Sequence, residues 1–467
     1  MAQLPSTLRT SADRRERDGQ APVEVIYQLF DADRPTAPSS RHRLDAVDEV
    51  DIARGEIRSA TRAMTDGRAR LSLQVCDPHV SRPHARMRRD GALWVIQDSR
   101  STNGVKINGA LHREAPLGDG DVIELGHTFL LYRSYVELID GRMDADAPRG
   151  TGVLATWLPS LAARFEQLES IAESRIATLV LGPTGTGKEW VAREIHRRSG
   201  RSGPFVPINC GAIPRDLIAS LLFGHRRGAF SGAIAEHTGL VATSSGGTLF
   251  LDEIAELPLD LQPALLRILA EGEILAVGAT APTRIDLRAV AATNQNLERM
   301  CVDHRFRDDL LARLAGFVLR LPALVDRRED LGLMVAALIH RLAGERAGRV
   351  RFTGDAARLL LLHSWNGNIR DLELRLASAL QIAGEAAISA DHLALDSPDR
   401  SGPPRSRWCG PDLERREALL RALERNDGNI TSVARELGKA RSQVQRWMKK
   451  YAIDVRREPH AQRDHKA

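Results

Sequence analysis

The feature that most constrains this chain is an apolar run followed by a glycine-rich loop that contains one lysine. Ala177–Leu181 (ATLVL) predicts a buried strand, and Gly182–Glu189 (GPTGTGKE) follows it, ahead of a helix that we expect to start near Trp190. Glycines let backbone N–H groups curl around phosphates, and the helix N-terminus adds partial positive charge. This strand–loop–helix order predicts a nucleoside-triphosphate site in an α/β domain.

Residue usage singles out the same lysine. The chain has 66 Lys and Arg residues but only 6 lysines, and Lys188 is the only lysine between Lys106 and Lys439. An ammonium is a compact charge, whereas guanidinium is a planar fork, so we expect Lys188 to bind the outer phosphates. Downstream, the strand in Gly246–Glu253 ends in two acids. We expect Asp252 to hold Mg²⁺ and Glu253 to polarise the attacking water.

Further motifs follow in a fixed order along the central part of the chain. They are Pro207–Cys210 (PINC), Gly224–Ala233 (GHRRGAFSGA), Ala291–Asn294 (AATN), Phe306–Leu314 (FRDDLLARL) and Trp365–Glu373 (WNGNIRDLE). With these motifs, residues 155–390 resemble the AAA+ ATPase domain of bacterial enhancer-binding proteins, the activators of sigma-54 RNA polymerase. Ser231 stands where that family usually has Thr, and Asn366 where it usually has Pro.

The resemblance implies a role for each motif. The implied catalytic residues are Asp252, Glu253, Arg307, Arg313 and Asn209. The implied nucleotide-binding residues are Gly182, Pro183, Thr184, Gly185, Thr186, Gly187, Lys188, Glu189, Asn294 and Arg370, with ATP and Mg²⁺ as ligands. The implied sigma-factor contact is the loop of Gly228, Ala229, Phe230, Ser231, Gly232 and Ala233. An arginine finger acts on a neighbour's γ-phosphate, so the resemblance implies a homo-oligomeric ring such as a hexamer, with a heptamer left open.

The C-terminal segment carries most of the positive charge. Residues 400–467 contain 17 Lys and Arg but 9 Asp and Glu, whereas the whole chain has a net charge of +5. Leu413–Glu424, Val433–Leu437 and Ala440–Lys450 predict helices, with Gly438 at a tight turn. This unit resembles a Fis-type helix-turn-helix, which implies enhancer DNA as the partner. The candidate DNA-binding residues are Arg441, Ser442, Gln443, Gln445, Arg446 and Lys449. A helical hairpin that only dimerises remains the alternative.

The N-terminal segment has short apolar strands at close spacing, which predict an all-β sandwich. Its loops carry a set of polar residues that resembles the ligand site of a forkhead-associated (FHA) domain. The residues implied to bind a phosphothreonine protein or peptide are Arg54, Ser81, Arg82, Thr102 and Asn103. Arginines and a hydroxyl suit a dianionic phosphate. The alternative is a sandwich that makes protein contacts without binding a phosphate.

The expected fold class is therefore multidomain: an all-β FHA sandwich, an α/β AAA+ ATPase with a helical lid, and an all-α helix-turn-helix. The predicted parts are a disordered lead-in (1–22), the FHA domain (23–138), a linker (139–154), the ATPase (155–395, lid from about 325), a linker (396–411), the helix-turn-helix (412–455) and a tail (456–467). No apolar run approaches the ~18 residues of a membrane span, and four scattered cysteines fit a reducing cytosol. We therefore expect a cytoplasmic protein with no membrane partner.

The overall interpretation is an ATP-dependent activator of sigma-54 RNA polymerase holoenzyme, regulated by phosphothreonine recognition. Two alternatives remain open at this point. One is a phosphopeptide-regulated DNA-binding regulator whose ATPase no longer remodels polymerase. The other is an AAA+ remodeler of a different client. The intact glycine-flanked loop at Gly228–Ala233 argues against the first, because a passive regulator has no use for it.

Overall fold

The computed structural model describes residues 23–91, 93–138, 141–229 and 233–395, and in the C-terminal part residues 419, 422–423, 426, 430–437, 439 and 441–450. The predicted lead-in (1–22), the second linker (396–411) and the tail (456–467) lie outside these residues. Across the described part of the chain, no helix is both long enough and apolar enough to cross a bilayer.

The N-terminal part is a β-sandwich. Its strands are β1 (Val23–Asp31), β2 (Ser40–Arg43), β3 (Glu49–Arg54), β4 (Ser59–Thr65), β5 (Arg68–Val75), β6 (Ala85–Asp90), β7 (Leu93–Asp98), β8 (Val105–Ile107), β9 (Ala110–His112), β10 (Glu114–Pro116), β11 (Val122–Leu125), β12 (Thr128–Val136) and β13 (Asp144–Ala145). One sheet runs β13-β2-β1-β12-β11-β8-β9, and the other runs β10-β7-β6-β3-β5-β4. Side chains along a strand point alternately to the core and to the solvent. In β5, Leu71 and Leu73 are buried, whereas Gln74 is exposed.

Strand β13 lies inside the segment predicted as a linker. It pairs with β2, and the Asp144 carboxylate accepts from Arg62 Nε at 2.7 Å and is 2.7 Å from His42 Nδ1. Burial raises the pKa of Asp144, but the hydrogen bonds from Arg62 and His42 outweigh it and hold the pKa well below its usual range. The segment after the sandwich is thus tied to it at this point.

The central part has a parallel sheet with helices on both faces. Its strands are β14 (Thr178–Leu181), β15 (Phe205–Asn209), β16 (Thr248–Asp252), β17 (Glu273–Ile274), β18 (Thr283–Arg284), β19 (Arg288–Thr293) and β20 (Phe317–Arg320). Its helices are α1 (Pro159–Ser170), α2 (Lys188–Arg198), α3 (Arg215–Phe223), α4 (Leu240–Thr243), α5 (Gln262–Glu271), α6 (Leu297–Val302) and α7 (Asp308–Leu314). The order β15-β16-β19-β14-β20 puts β19 inside the sheet, and all six of its residues are buried, as a strand covered on both faces requires.

Helices form the lid and the C-terminal unit. The lid begins with a 3-10 segment, Leu324–Asp330, and continues with α8 (Leu331–Ala343), α9 (Gly354–Leu362), α10 (Asn368–Ala383) and α11 (Ala390–Leu393). The described C-terminal helices are α12 (Ile430–Glu436) and α13 (Arg441–Lys450). Val444 of α13 is buried, and Trp447 and Met448 pack against the same cluster, as their helical spacing predicts.

The sandwich is docked on the lid through one continuous hydrophobic core. Tyr27 and Phe30 of β1 belong to the same buried cluster as Val335 and Phe352 of the lid. The rings of Phe30 and Phe352 meet edge to face with centroids 5.6 Å apart. The Phe352 N–H donates to the Ala32 carbonyl at 2.7 Å. The two domains therefore share packing and a backbone hydrogen bond.

Candidate functional site

The glycine-rich loop joins β14 to α2, which begins at Lys188, slightly earlier than predicted. Gly185 and Gly187 have φ of +78° and +93°, a region that favours glycine. Thr186 Oγ1 donates to the Pro183 carbonyl at 2.9 Å. The loop is thus curled ahead of a helix N-terminus, the local geometry that surrounds a phosphate with N–H groups.

Lys188 and the acid pair meet beside this loop. The Lys188 residue is 7% exposed, and its Nζ donates to the carbonyls of Gly182 at 3.0 Å and Pro183 at 3.3 Å. Glu253 Oε1 lies 4.0 Å from the same Nζ. Burial lowers the pKa of Lys188, and the charges of Glu253 and Asp252 oppose that shift. The structure thus brings together the loop, the lysine and both acids.

Glu253 has an unusual backbone. Its φ is +50°, a left-handed conformation that costs a non-glycine residue about 1–2 kcal/mol. Its N–H donates to Asp252 Oδ1 at 3.1 Å, and its Oε2 lies 3.5 Å from Thr293 Oγ1. An observed outlier at a strand end beside a buried lysine supports a functional role for this carboxylate.

The other predicted nucleotide-site residues surround the loop. Asn294 follows β19, and its Nδ2 donates to Thr184 Oγ1 at 3.0 Å. Arg370 is exposed near the start of α10, and its charge contributes to lowering the pKa of Lys188. Glu189 lies in the first turn of α2 and accepts from Arg193 at 2.7 Å.

Asn209 lies at the end of β15, next to the acid pair. It is opposite Asp252 in the parallel pairing of β15 with β16. Its Oδ1 accepts from the Gly211 N–H at 3.0 Å. The implied catalytic role of Asn209 therefore stays a prediction.

Two residues that the sequence reasoning missed hold the lid against the loop. Asn368 Nδ2 donates to the Thr184 carbonyl at 2.8 Å, and its Oδ1 accepts from the Leu324 N–H at 2.8 Å. Arg327 Nη2 donates to the Thr186 carbonyl at 3.2 Å. Asn368 lies inside the Trp365–Glu373 motif, and that position was the signal available for it. Arg327 is one of several charges in its segment and gave no signal.

The two candidate arginine fingers lie at the surface. Arg307 precedes α7, and its Nη2 is 2.7 Å from Asp309 Oδ2, with both side chains more than 40% exposed. Arg313 is exposed on α7. Surface positions at and just before one short helix are compatible with contact to a neighbouring protomer.

The candidate sigma-factor loop is described only at its two ends. Gly228 N–H donates to the Ala233 carbonyl at 2.8 Å, and Ala229 N–H donates to the Arg226 carbonyl at 3.1 Å. Phe230, Ser231 and Gly232 lie outside the described residues. Arg226 forms an ion pair with Glu236 at 2.9 Å, so the acid that pairs with it comes from the segment after the loop.

Loops at one end of the sandwich bring the phosphothreonine candidates together. Arg54 N–H donates to the Ser81 carbonyl at 3.0 Å, and Arg82 Nε donates to the Arg54 carbonyl at 2.8 Å. Thr102 N–H donates to Ser81 Oγ at 3.1 Å. Asn103 Nδ2 donates to a carbonyl of the Ser81 loop at 2.8 Å. These contacts place two arginines and two hydroxyl residues on adjoining loops, and Arg54, Arg82 and Thr102 are exposed.

A buried histidine braces this site. His84 is fully buried, and its Nδ1 accepts from the Ser81 N–H at 2.9 Å. Because Nδ1 is an acceptor, Nε2 carries the proton and donates to the Gly104 carbonyl at 3.1 Å. The buried imidazole therefore joins the loop that carries Ser81 to the loop that carries Thr102 from the interior of the domain.

The candidate DNA-binding residues lie on α13. Arg441 and Arg446 are exposed, and Gln443 is half-buried. The side chains of Ser442, Gln445 and Lys449, the predicted turn at Gly438, and most of the predicted helix Leu413–Glu424 lie outside the described residues. Exposed arginines on this helix are suited to nucleic-acid phosphates.

Comparison with known families finds four domains in the predicted order. Residues 64–126 match the FHA domain, and residues 155–320 match the Sigma-54 interaction domain. Residues 325–404 match the AAA+ ATPase lid domain. Residues 412–451 match the bacterial regulatory protein, Fis family.

Individual relatives match between 61% and 70% of this chain. The Nif-specific regulatory protein of Azotobacter vinelandii is 37% identical over 61% of this chain and 56% of its own length. The response regulator protein PilR of Pseudomonas aeruginosa is 39% identical over 63% of this chain and 69% of its own. The transcriptional regulatory protein GlrR of Escherichia coli is 34% identical over 70% of this chain and 74% of its own. The chain therefore belongs to the family of sigma-54-dependent transcriptional activators, with an AAA+ ATPase domain, an N-terminal FHA domain and a C-terminal Fis-type helix-turn-helix.

Proposed function

We propose that this chain binds enhancer DNA and uses ATP hydrolysis to remodel sigma-54 RNA polymerase under the control of a phosphothreonine ligand. The observation that carries the proposal is the attachment of the Gly228–Ala233 loop to the ATPase body. Arg226 N–H donates to the Val277 carbonyl at 3.0 Å, and Val277 N–H donates to the Gly224 carbonyl at 2.9 Å. A loop anchored in this way can transmit a change in the ATPase to a partner at its tip.

The acid pair and the lysine supply the hydrolytic chemistry. Lys188 binds the outer phosphates of ATP, and Glu253 orients the attacking water. Carboxylate oxygens are the ligands that Mg²⁺ prefers, and Asp252 lies at the end of β16 close enough to influence the pKa of Lys188. Asp252 therefore fits as the residue that holds Mg²⁺, which neutralises phosphate charge when bound.

Hydrolysis in this proposal requires a second copy of the chain. Arg307 and Arg313 reach the γ-phosphate of a neighbouring protomer in a ring, and a finger of this kind contributes on the order of 10³–10⁵ in rate. ATP turnover per protomer then rises with protein concentration. A mixture of Lys188→Ala and Arg307→Ala chains recovers activity, because each chain supplies what the other lacks.

The matched control for this mixing experiment is Arg305→Ala. Arg305 is also exposed and lies two residues before Arg307, but it is outside the proposed finger positions. Arg305→Ala alone keeps near wild-type turnover, and its mixture with Lys188→Ala shows no recovery beyond its own activity. Turnover that does not depend on concentration would exclude action between protomers.

The phosphothreonine signal can reach the nucleotide site through the docked lid. Arg133 of β12 donates to Glu329 at 3.0 Å, and the Glu329 side chain is 2% exposed. Two residues earlier, Arg327 donates to the Thr186 carbonyl of the phosphate-binding loop. One short segment thus contacts the FHA domain and the nucleotide loop at the same time.

A second, partly buried ion pair joins the sandwich to the lid. Arg358 of α9 makes two hydrogen bonds with Glu124 of β11, at 2.6 and 2.7 Å, and the Glu124 side chain is 5% exposed. Glu124 also pairs with Lys106 Nζ of β8 at 2.7 Å, so one carboxylate joins α9 to two strands of the sandwich. A ligand that alters this docking therefore alters the lid and, through it, the ATPase.

The test of this control is ATPase activity measured with a phosphothreonine peptide and with its unphosphorylated form. The phosphorylated peptide changes turnover in the wild type and not in Arg54→Ala, whose basal turnover stays near wild type. The same change with both peptides, or with neither, would remove the FHA domain as the regulator.

DNA binding is tested separately on the full chain. Its affinity for DNA falls with rising salt, because phosphate contacts release counterions, and Arg441→Ala weakens DNA binding.

A further inference from the structure

We propose that Asp33, His79 and His127 form a binding site for Zn²⁺ where the FHA sandwich meets the lid. Each residue offers a ligand atom, and the three atoms lie within 4.8 Å of one another. The residues come from three separate loops: Asp33 follows β1, His79 lies between β5 and β6, and His127 lies between β11 and β12. The fold, not the sequence spacing, brings them together.

The three side chains offer the ligand types of a metal site, with ligand atoms close together. His127 Nδ1 and Asp33 Oδ2 are 2.9 Å apart. The rings of His79 and His127 are tilted by 31° with centroids 3.9 Å apart. Imidazole nitrogen and carboxylate oxygen are preferred ligands of Zn²⁺, and sites with three protein ligands leave a fourth position to water. His79 is exposed, so that fourth position has access to solvent.

A buried carboxylate holds both histidines in place. Asp77 is 2% exposed, and its Oδ1 accepts from the His79 N–H at 2.7 Å. Its Oδ2 accepts from the His127 N–H at 2.8 Å. The backbone of each histidine is thus held by the same carboxylate before any metal binds.

A glycine permits the close approach of the two histidine loops. Gly126 has φ of +59°, and a Cβ at that position would lie 2.8 Å from the backbone of His79. Real Cβ atoms essentially never come that close to backbone atoms. The turn that carries His127 can therefore pack on the His79 loop only because residue 126 has no side chain.

The site lies between the phosphothreonine loops and the lid. His79 is two residues before Ser81, and the carbonyl of Ala32, next to Asp33, accepts from Phe352 of the lid. A Cβ atom added to Gly354, at the start of α9, would lie 3.6 Å from His127 Cδ2. A bound metal would tie the Ser81 loop to two segments that contact the lid. This role rests on the proposed phosphothreonine function, whereas the binding of Zn²⁺ does not.

The experiment titrates ZnCl₂ into the metal-stripped full chain by calorimetry and repeats the titration with CoCl₂ in a visible-absorption cell. We expect His79→Ala and Asp33→Asn to lose at least about tenfold in affinity at one site, the scale on which even supporting contacts act. The control is His340→Ala, which removes an imidazole that is also exposed and should bind as the wild type does. Other histidines in the chain can also bind Zn²⁺, so the quantity compared is the difference in Zn²⁺ affinity between variants.

Two results would overturn the proposal. One is Zn²⁺ affinity in His79→Ala and Asp33→Asn equal to that of His340→Ala. The other is a wild type that binds no Zn²⁺ at micromolar concentrations. Either would leave a plain Asp33–His127 ion pair with a stacked His79 ring. A near-ultraviolet circular dichroism spectrum that matches the wild type establishes that each variant remains folded. A Zn²⁺-dependent rise in Tm confined to the wild type and His340→Ala supports the site.

Discussion

Replacing Gly332 with alanine tests whether the FHA sandwich is fixed on the lid. Gly332 is the second residue of α8 (Leu331–Ala343), and a Cβ built there lies well under 3.0 Å from the Leu29 carbonyl oxygen of β1. Alanine is favoured over glycine inside a helix by up to about 1 kcal/mol, so Gly332→Ala should not destabilise the lid itself. We therefore expect the substitution to destabilise the contact between the lid and the FHA sandwich.

The size of the effect follows from the clash. Overpacking of a close contact costs about 1–3 kcal/mol, which raises the undocked population roughly 5- to 150-fold at about 1.4 kcal/mol per tenfold change. The Phe352 N–H donates to the Ala32 carbonyl across the interface, so its hydrogen exchange reports undocking. We expect the Phe352 amide to exchange faster by that factor, while the amides of β14 keep their wild-type rates.

The matched control is Gly348→Ala. A Cβ at Gly348 has nothing within 4 Å, so this variant should leave the exchange of the Phe352 amide unchanged. Wild-type exchange of that amide in Gly332→Ala would refute the reasoning, because the added methyl group would then have been accommodated without moving the sandwich.

Three further predictions address the ligand site, the loop and the pH dependence of stability. Arg54→Ala should weaken binding of a phosphothreonine peptide at least about tenfold in calorimetry, the loss expected for one charge-assisted hydrogen bond; equal binding of the phosphorylated and plain peptides would leave only a protein-contact sandwich. Phe230→Ala should hydrolyse ATP normally but form no open complex, and normal activation would exclude this loop as the contact. Burial raises the pKa of Asp330 from 3.8 to about 7, so the native state binds more protons than the unfolded state between those values and stability falls as pH rises through that window, by on the order of 4 kcal/mol. Asp330→Asn should flatten this dependence in urea unfolding, and an unchanged slope would contradict the assignment to Asp330.

Local signals in the sequence predicted the strand–loop–helix conformation around Lys188 correctly. The run Ala177–Leu181 and the glycines after it are enough, because a buried strand, two left-handed glycines and a helix start are all encoded within about a dozen residues. The domain order was predicted for a similar reason, since each domain has its own motifs, and the family matches confirm it.

The sequence could not predict the contacts between distant segments. Arg327, Gly332 and Glu329 look like ordinary residues of a charged helical stretch, and only the docked arrangement shows that they contact the nucleotide loop or the sandwich. The same holds for Asp33 and His127, which are far apart in the chain but 2.9 Å apart in space. Such pairs depend on how two domains pack, which no periodicity within either domain records.

The most direct test of the central claim is transcription in a reaction containing only sigma-54 RNA polymerase holoenzyme, a promoter with its enhancer, this chain and ATP. The wild type should produce transcripts that require ATP, and Glu253→Gln should bind ATP without producing transcripts. A wild type that hydrolyses ATP but yields no transcripts, or transcripts at an equal level with Glu253→Gln, would contradict the account.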